Sequence, residues 1–336
     1  MYIDKPVGKH EILILGRRET EQLLTVVEAI AAVERAFKLK AQKKAIMPPK
    51  LYLDMPEFAG DFRAMPAYID GIAGIKWTSG YPNNYRYNLP TVMATIILCD
   101  PKTGRPLAIM NGEYVTSIRT GAAGAVAVKY LARSDSSVIG MIGAGMQART
   151  QLLTIREVLP GIKEVKVFDL RKEVSQRYAQ MMAAELKINI CPVETIKAAT
   201  DADIVVTTTP SREPVVKKHH IKPGTHINAI GADAKGKQEL ESGLLASAKV
   251  VVDDIEQASH GGEINVPISE GQLRIEQIYG TIGEIAANLK NGRENDDEVT
   301  IFDSTGLAIQ DMVCAKLIYE KAKTRGTPVF TFFDPD

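Results

Sequence analysis

Cysteine is scarce in this chain of 336 residues: the three present, Cys99, Cys191 and Cys314, are far apart, odd in number and set among apolar neighbours. A disulfide framework or a zinc cluster is therefore not expected. Net charge is missing as well, because 41 lysines and arginines balance 41 aspartates and glutamates. Without a global field of either sign, neither nucleic acid nor an anionic membrane is the expected partner, and a small molecule is. No apolar run approaches the ~18 residues of a membrane span. The opening residues Met1-Tyr2-Ile3-Asp4-Lys5-Pro6 lack the charged start and apolar stretch of a signal peptide, so a reducing, cytoplasmic setting is expected. Histidine shows no ligand spacing: His10, His226 and His260 stand apart, and the adjacent His219 and His220 would point apart on a helix or strand. No metal site is expected.

What is present is the balance of an ordinary globular protein, 45% apolar and 24% charged residues. The length exceeds the ~250 to 300 residues at which single cores stop growing, which predicts two domains. Val26, Ile30, Val33 and Phe37 recur at helical spacing within Val26 to Lys43, and Met47-Pro48-Pro49 ends that helix. Short β-rich runs follow, notably Thr91 to Leu98 and Leu107 to Met110 around the turn Asp100 to Gly104, and predict an antiparallel sheet. Ser117 to Ala132 reads as a helix rich in small residues. From Ser137 onward strands alternate with helices, which predicts a parallel sheet covered on both faces, with strands at Val138 to Ile142, Glu164 to Phe168, Ile204 to Thr208, His226 to Ile230, Val250 to Val252 and Val299 to Phe302. A last helix, Leu307 to Lys323, carries the chain back to the first domain, so the expected division is 1–128 with 312–336 against 129–311. The charge-dense run Arg293 to Glu298 reads as a solvated turn.

The turn Gly143-Ala144-Gly145-Met146-Gln147-Ala148 follows a predicted strand and opens the helix Met146 to Val158. In that context Gly143 permits the tight turn, Gly145 lets the backbone approach a pyrophosphate, and the helix N-terminus faces the negative charge. A nicotinamide dinucleotide is the implied cofactor. Asp169, at the end of the next strand, suits the hydroxyls of an adenosine ribose and points to NAD, whereas Arg171 two residues on could pair with the extra phosphate of NADP. Thr208 and Thr209 suit a loop beside the nicotinamide half, and equally a polar strand exit.

Lys50, Arg63, Lys76 and Arg119 each sit among glycine, proline or small apolar residues. Such isolated cations fit a substrate carboxylate, although each taken singly fits a structural charge as well. Asp233 follows Asn228-Ala229-Ile230-Gly231-Ala232 at the carboxyl end of a predicted parallel strand, where open α/β sheets place their ligands. It is the acid/base candidate, with a cap or turn aspartate as the alternative; partial desolvation would raise its pKa towards working pH.

Several stretches then coincide with a known pattern: Met47-Pro48-Pro49-Lys50, Arg63-Ala64-Met65-Pro66-Ala67, Gly74-Ile75-Lys76-Trp77, Ser117-Ile118-Arg119-Thr120-Gly121, Ile230-Gly231-Ala232-Asp233, Gly236-Lys237-Gln238-Glu239-Leu240, His260-Gly261-Gly262-Glu263 and Phe302-Asp303-Ser304-Thr305-Gly306. The chain resembles the ornithine cyclodeaminase/μ-crystallin family, and most closely its archaeal-type alanine dehydrogenase branch. The resemblance implies an α/β fold, a Rossmann-type doubly wound parallel sheet plus an α+β substrate-binding and dimerisation domain, in a homodimer. It implies Lys76 and Arg119 on the substrate carboxylate, Lys50 and Arg63 lining the same pocket, Asp233 as the proton-transfer residue and Asp303 among the cofactor contacts. The implied reaction is reversible NAD-dependent oxidative deamination of L-alanine. Ornithine cyclodeamination, reduction of cyclic imines such as Δ1-pyrroline-2-carboxylate, and a non-catalytic cofactor-binding role are the alternatives. The cyclodeaminase branch carries an acidic residue in the region of Arg63, and a basic one here suits a short monoamino acid.

Overall fold

The computed structural model describes residues 8, 10–325 and 327–332. The chain divides into two compact units, one formed by residues up to Arg119 together with those from Leu307 onward, the other by Thr120–Gly306. The sequence marks neither crossing with a linker. The first falls inside the continuous helix Glu113–Leu131, and the second just before the helix Ala308–Lys323.

In the first unit the predicted amphipathic helix runs Val26–Ala41, opened by a reciprocal cap between Thr25 and Glu28, and it buries Ile30, Val33 and Phe37. Eight strands form one sheet among the described residues. Its centre is antiparallel, Gly60–Ile69 against Ile72–Gly80 and the latter against Val92–Cys99. The strand Glu11–Leu15 departs from the antiparallel expectation by pairing parallel with Pro106–Asn111. The helix Ala308–Lys323 lies on this sheet, and Gly74 makes the approach possible: a Cβ there would stand 2.3 Å from the Ile97 carbonyl oxygen and 2.8 Å from Met312 Sδ.

The second unit holds eight parallel strands in the order Asn189–Pro192, Glu164–Phe168, Val138–Ile142, Ile204–Thr207, His226–Ala229, Thr300–Asp303, Lys249–Val252 and Gly280–Thr281. Alternation along each strand splits the core in two. Ile139, Val165, Val167, Ile204 and Val206 pack with Leu152, Ile155 and Met182 on one face, while Val205, Ile227, Val250 and Ile301 pack with Leu244 and Ala258 on the other. Burial on both faces explains why these strands read as unbroken apolar runs. Val138–Ile142 lies between Glu164–Phe168 and Ile204–Thr207, so the strand order reverses there and opens a crevice at the carboxyl ends.

One local reading needs correction. His219 and His220 lie on the single 3-10 turn Lys218–His220, so their rings do not diverge but meet edge to face at 4.5 Å. The charged run from Arg293 is a solvated turn, with Glu294 to Asp297 exposed, and its ends are anchored: Arg293 donates to the carbonyls of Leu131 and Glu298 and to Thr300 Oγ1, while Glu298 pairs with Lys249 at 2.7 Å. Among the described residues no helix is long and apolar enough to cross a membrane, and no group of three acidic, histidine or cysteine side chains could hold a metal ion.

Candidate active site

The glycine turn lies at the reversal point. Gly143 has φ +92°, and a Cβ there would meet Thr208 Oγ1 at 2.7 Å, so the position demands glycine on both counts. Gly145 differs: nothing lies within 4 Å of the space its Cβ would fill. It also begins the helix Met146–Val158 without any side-chain cap, which leaves the first-turn N–H groups for another acceptor. An open cradle beside an uncapped helix of 13 residues fits a dinucleotide pyrophosphate. Met146 is exposed and Gln147 half-buried at the mouth of this turn.

Asp169 is held by the turn itself, its Oδ2 accepting the Ala144 N–H at 3.1 Å and its Oδ1 the Arg171 N–H at 3.0 Å. Phe168, Asp169, Leu170, Pro192, Val193 and Glu194 line a recess there. Arg171 is exposed beside it. Thr208 continues the next strand through an N–H bond to the Ile142 carbonyl at 2.9 Å.

Buried carboxylates, of which only Asp303 was expected as a functional group, organise the other strand ends of this unit. Glu239 is fully buried and accepts from Thr207 Oγ1 at 2.7 Å, the Thr209 N–H at 2.6 Å and the Gly231 N–H at 2.8 Å. It thereby ties together the loop bearing Thr208 and Thr209 and the loop leading to Asp233. Glu263 in turn accepts the N–H groups of Glu239 and Leu240. Asp303 is also fully buried, receiving the Ile264 N–H at 3.2 Å, which gives it a place inside the scaffold. Burial, with repulsion from Asp253 and Glu239, pushes the Asp303 carboxyl up to about 8. Glu239 and Glu263 are raised by burial too. Asp233 is half-buried, with Lys237 Nζ 2.6 Å from its Oδ1.

The first unit gathers all four candidate cations. Antiparallel register sets Lys76 opposite Met65 and Arg63 opposite both Thr78 and Tyr52, so Arg63 and Lys76 share one sheet face. Lys50 precedes the edge strand Leu51–Met55 and is close enough to repel Lys76. Arg63 forks onto Asp61, at 2.6 and 3.2 Å, so its charge is offset on the spot. That pairing changes the meaning of a basic residue at this position, because an acidic group stands beside it.

Lys76 and Arg119 meet on a residue that sequence inspection passed over. Asp311, in the first turn of Ala308–Lys323, is fully buried and receives Lys76 Nζ at 2.9 Å and Arg119 Nε at 3.0 Å. Gln310 next to it accepts from Arg119 Nη1 at 3.0 Å and from the Leu307 N–H at 3.1 Å, which also fixes the helix start. Burial and repulsion from Arg119 lower Lys76 to about 7, with Asp311 opposing the shift and Lys50 adding to it.

Comparison with known proteins agrees with this geometry. The profile of the ornithine cyclodeaminase/mu-crystallin family matches residues 10–326. The chain belongs to that family. It is 53% identical to the alanine dehydrogenase of Archaeoglobus fulgidus over 94% of this chain and 96% of that one. An archaeal alanine dehydrogenase dimer with bound NAD superposes with a TM-score of 0.93 at 52% identity, covering 96% of this chain and all of the other, 100%. The Δ1-pyrroline-2-carboxylate reductase of Thermococcus litoralis, in complex with NADH and L-proline, follows at 0.91 and 42% identity, covering 94% and 99%. The family fold is therefore the one described above, a Rossmann-type sheet joined to a mixed α+β unit.

Proposed function

We propose that this member of the family is an NAD-dependent L-alanine dehydrogenase, converting L-alanine, NAD and water reversibly to pyruvate, ammonia and NADH. The observation that carries the reading is the 53% identity to the Archaeoglobus enzyme, sustained over 94% of the chain. When bound, NAD supplies the hydride acceptor. The chain's own residues do the rest. Lys76 and Arg119 hold the substrate carboxylate by charge-assisted hydrogen bonds, and Lys50 and Arg63 line the same pocket. Asp233 takes a proton from the water that adds to the imine carbon, then returns it as ammonia leaves. Gly143 to Gln147 and the uncapped helix hold the pyrophosphate, Asp169 the adenosine ribose, and Thr208 and Thr209 the nicotinamide half. Asp169 favours NAD, and Arg171 leaves room for NADP.

Reduction of a cyclic imine is the second reading, favoured by the likeness to the Thermococcus reductase. Incubation with NAD and alanine, ornithine or proline in turn, reading NADH absorbance and ammonia, separates the cases. Net NADH and ammonia with alanine are expected. NADH from proline alone supports imine reduction, ammonia from ornithine without net NADH supports cyclodeamination, and silence throughout supports a binding role; each of these overturns the proposal.

We further propose a homodimer, as in the archaeal relative. Leu51, Leu53 and Trp77 project from one face of the first unit's sheet at 62%, 48% and 40% exposure, an apolar patch that a second copy would cover. Light scattering should return twice the 36.7 kDa chain mass, and a monomer would refute it.

A further inference from the structure

The carboxylate clamp is itself clamped. Lys76 Nζ lies 2.9 Å from Asp311, Arg119 Nε 3.0 Å from it, and all three side chains are buried. Thr116 Oγ1, 3.3 Å from Lys76 Nζ, is the further neutral contact. The geometry of Asp311 is set by three independent features. Gly74 lets the last helix approach the strand that carries Lys76. Gln310 fixes the start of that helix, and the first-turn position favours a negative charge there. One anion between two cations leaves a single positive charge on this trio, to which Lys50 adds from the segment before Leu51–Met55.

We infer that Asp311 is a positioning residue of the reaction, acting through Lys76 and Arg119: it fixes their separation and keeps Lys76 charged to receive a substrate carboxylate. This rests on the reading of Lys76 and Arg119 as the carboxylate clamp. The alternative is a purely structural ion pair, with no bearing on chemistry. The two differ in what happens to the Lys76 proton. The charged groups facing Lys76 are Arg119 from the helix Glu113–Leu131, Lys50 from the segment before Leu51–Met55, Arg63 from the adjoining strand and Asp311 from the last helix, on which Cys314 neighbours Asp311 and Arg119. Of these, Asp311 is the anion in direct contact. Burial raises the Cys314 thiol, so it stays neutral and does not substitute for Asp311. Without Asp311 the proton on Lys76 is opposed by burial and by its cationic neighbours.

The test is Asp311→Asn, nearly the same shape without the charge, with kcat/KM for alanine followed from pH 5.5 to 8.5 as a ratio to wild type. Titrations common to both proteins cancel in the ratio. The expected result is a further fall of about tenfold across that range, corresponding to a one-unit acid shift of Lys76. A pH-independent ratio overturns the inference, since loss of packing lowers activity without moving a titration. Asp311→Glu keeps the charge and displaces it by one methylene, so a flat ratio with kcat/KM lowered at least tenfold is expected; a loss under twofold removes the positional role and covers the case in which Asn does not fold. The Lys76 side-chain NMR shift, assigned with Lys76→Met, is a readout independent of substrate. Should wild type fail to oxidise alanine, the functional reading falls, while an unmoved Lys76 titration in Asp311→Asn overturns the role given to Asp311.

Discussion

Asp233→Asn is expected to lower alanine turnover by roughly 10² to 10⁴-fold, the range general acid–base catalysis supplies, while NADH affinity stays within about twofold. The substitution removes the basic oxygen and keeps the size of the side chain. It weakens the pair with Lys237, whose side chains are 35% (Asp233) and 20% (Lys237) exposed. A pair that exposed contributes about 1 kcal/mol at most, so the variant should fold normally. NADH binding is argued from other residues, the turn at Gly143 to Gln147 and Asp169, which sit on other strand ends. Single-turnover kinetics with alanine and fluorescence titration with NADH measure the two quantities separately. Turnover within threefold of wild type would falsify the assignment, and parallel loss of NADH binding would mean that Asp233 shapes the cofactor loop.

The parts of this site that were legible in the sequence are those that local chemistry dictates. A turn at positive φ that admits no Cβ requires Gly143, and a strand end beside it admits Asp169, so both show as motifs within one strand-turn-helix unit. The parallel sheet was legible for a similar reason, since strands buried on both faces read as apolar runs. Asp311 was not legible. It stands 235 residues from Lys76, at the start of a helix that buries Ala308 through Ala315, and nothing local distinguishes it from a first-turn acid that favours the helix dipole. Glu239 was hidden likewise, because its value lies in binding N–H groups of Thr209 and Gly231 that come from two other strand ends. Arg63 shows the converse failure: the residue was visible, but its pairing with Asp61, two residues earlier on the same strand, depends on the extended backbone that sets both side chains on one face.

Lys76→Met should separate the functional and structural roles of the buried clamp most sharply. Methionine fills nearly the same volume without charge, so the chain is expected to fold, whereas kcat/KM for alanine should fall by roughly 10- to 100-fold. A hydrogen bond to a charged group contributes about 1.5 to 3 kcal/mol, and each 1.4 kcal/mol is tenfold. Stability should change in a pH-dependent way, with a definite sign. Lys76 is lowered to about 7 in the folded chain, against about 10.4 for an unperturbed lysine. Between these values the unfolded chain binds the proton and the folded chain has released it, so this group's contribution is fully present above about 10.4 and is lost as pH falls through about 7. Wild type therefore gains stability from Lys76 as pH rises from 7, by up to about 5 kcal/mol, and the methionine variant does not. Relative to wild type, Lys76→Met should be most favourable near pH 6 and progressively less so by pH 9, offset throughout by a constant cost for leaving Asp311 with Arg119 alone. Urea denaturation at both pH values reads this directly. Equal differences at the two would mean that Lys76 titrates as an ordinary lysine, and with that the pH-dependent role assigned to Asp311 would also fall.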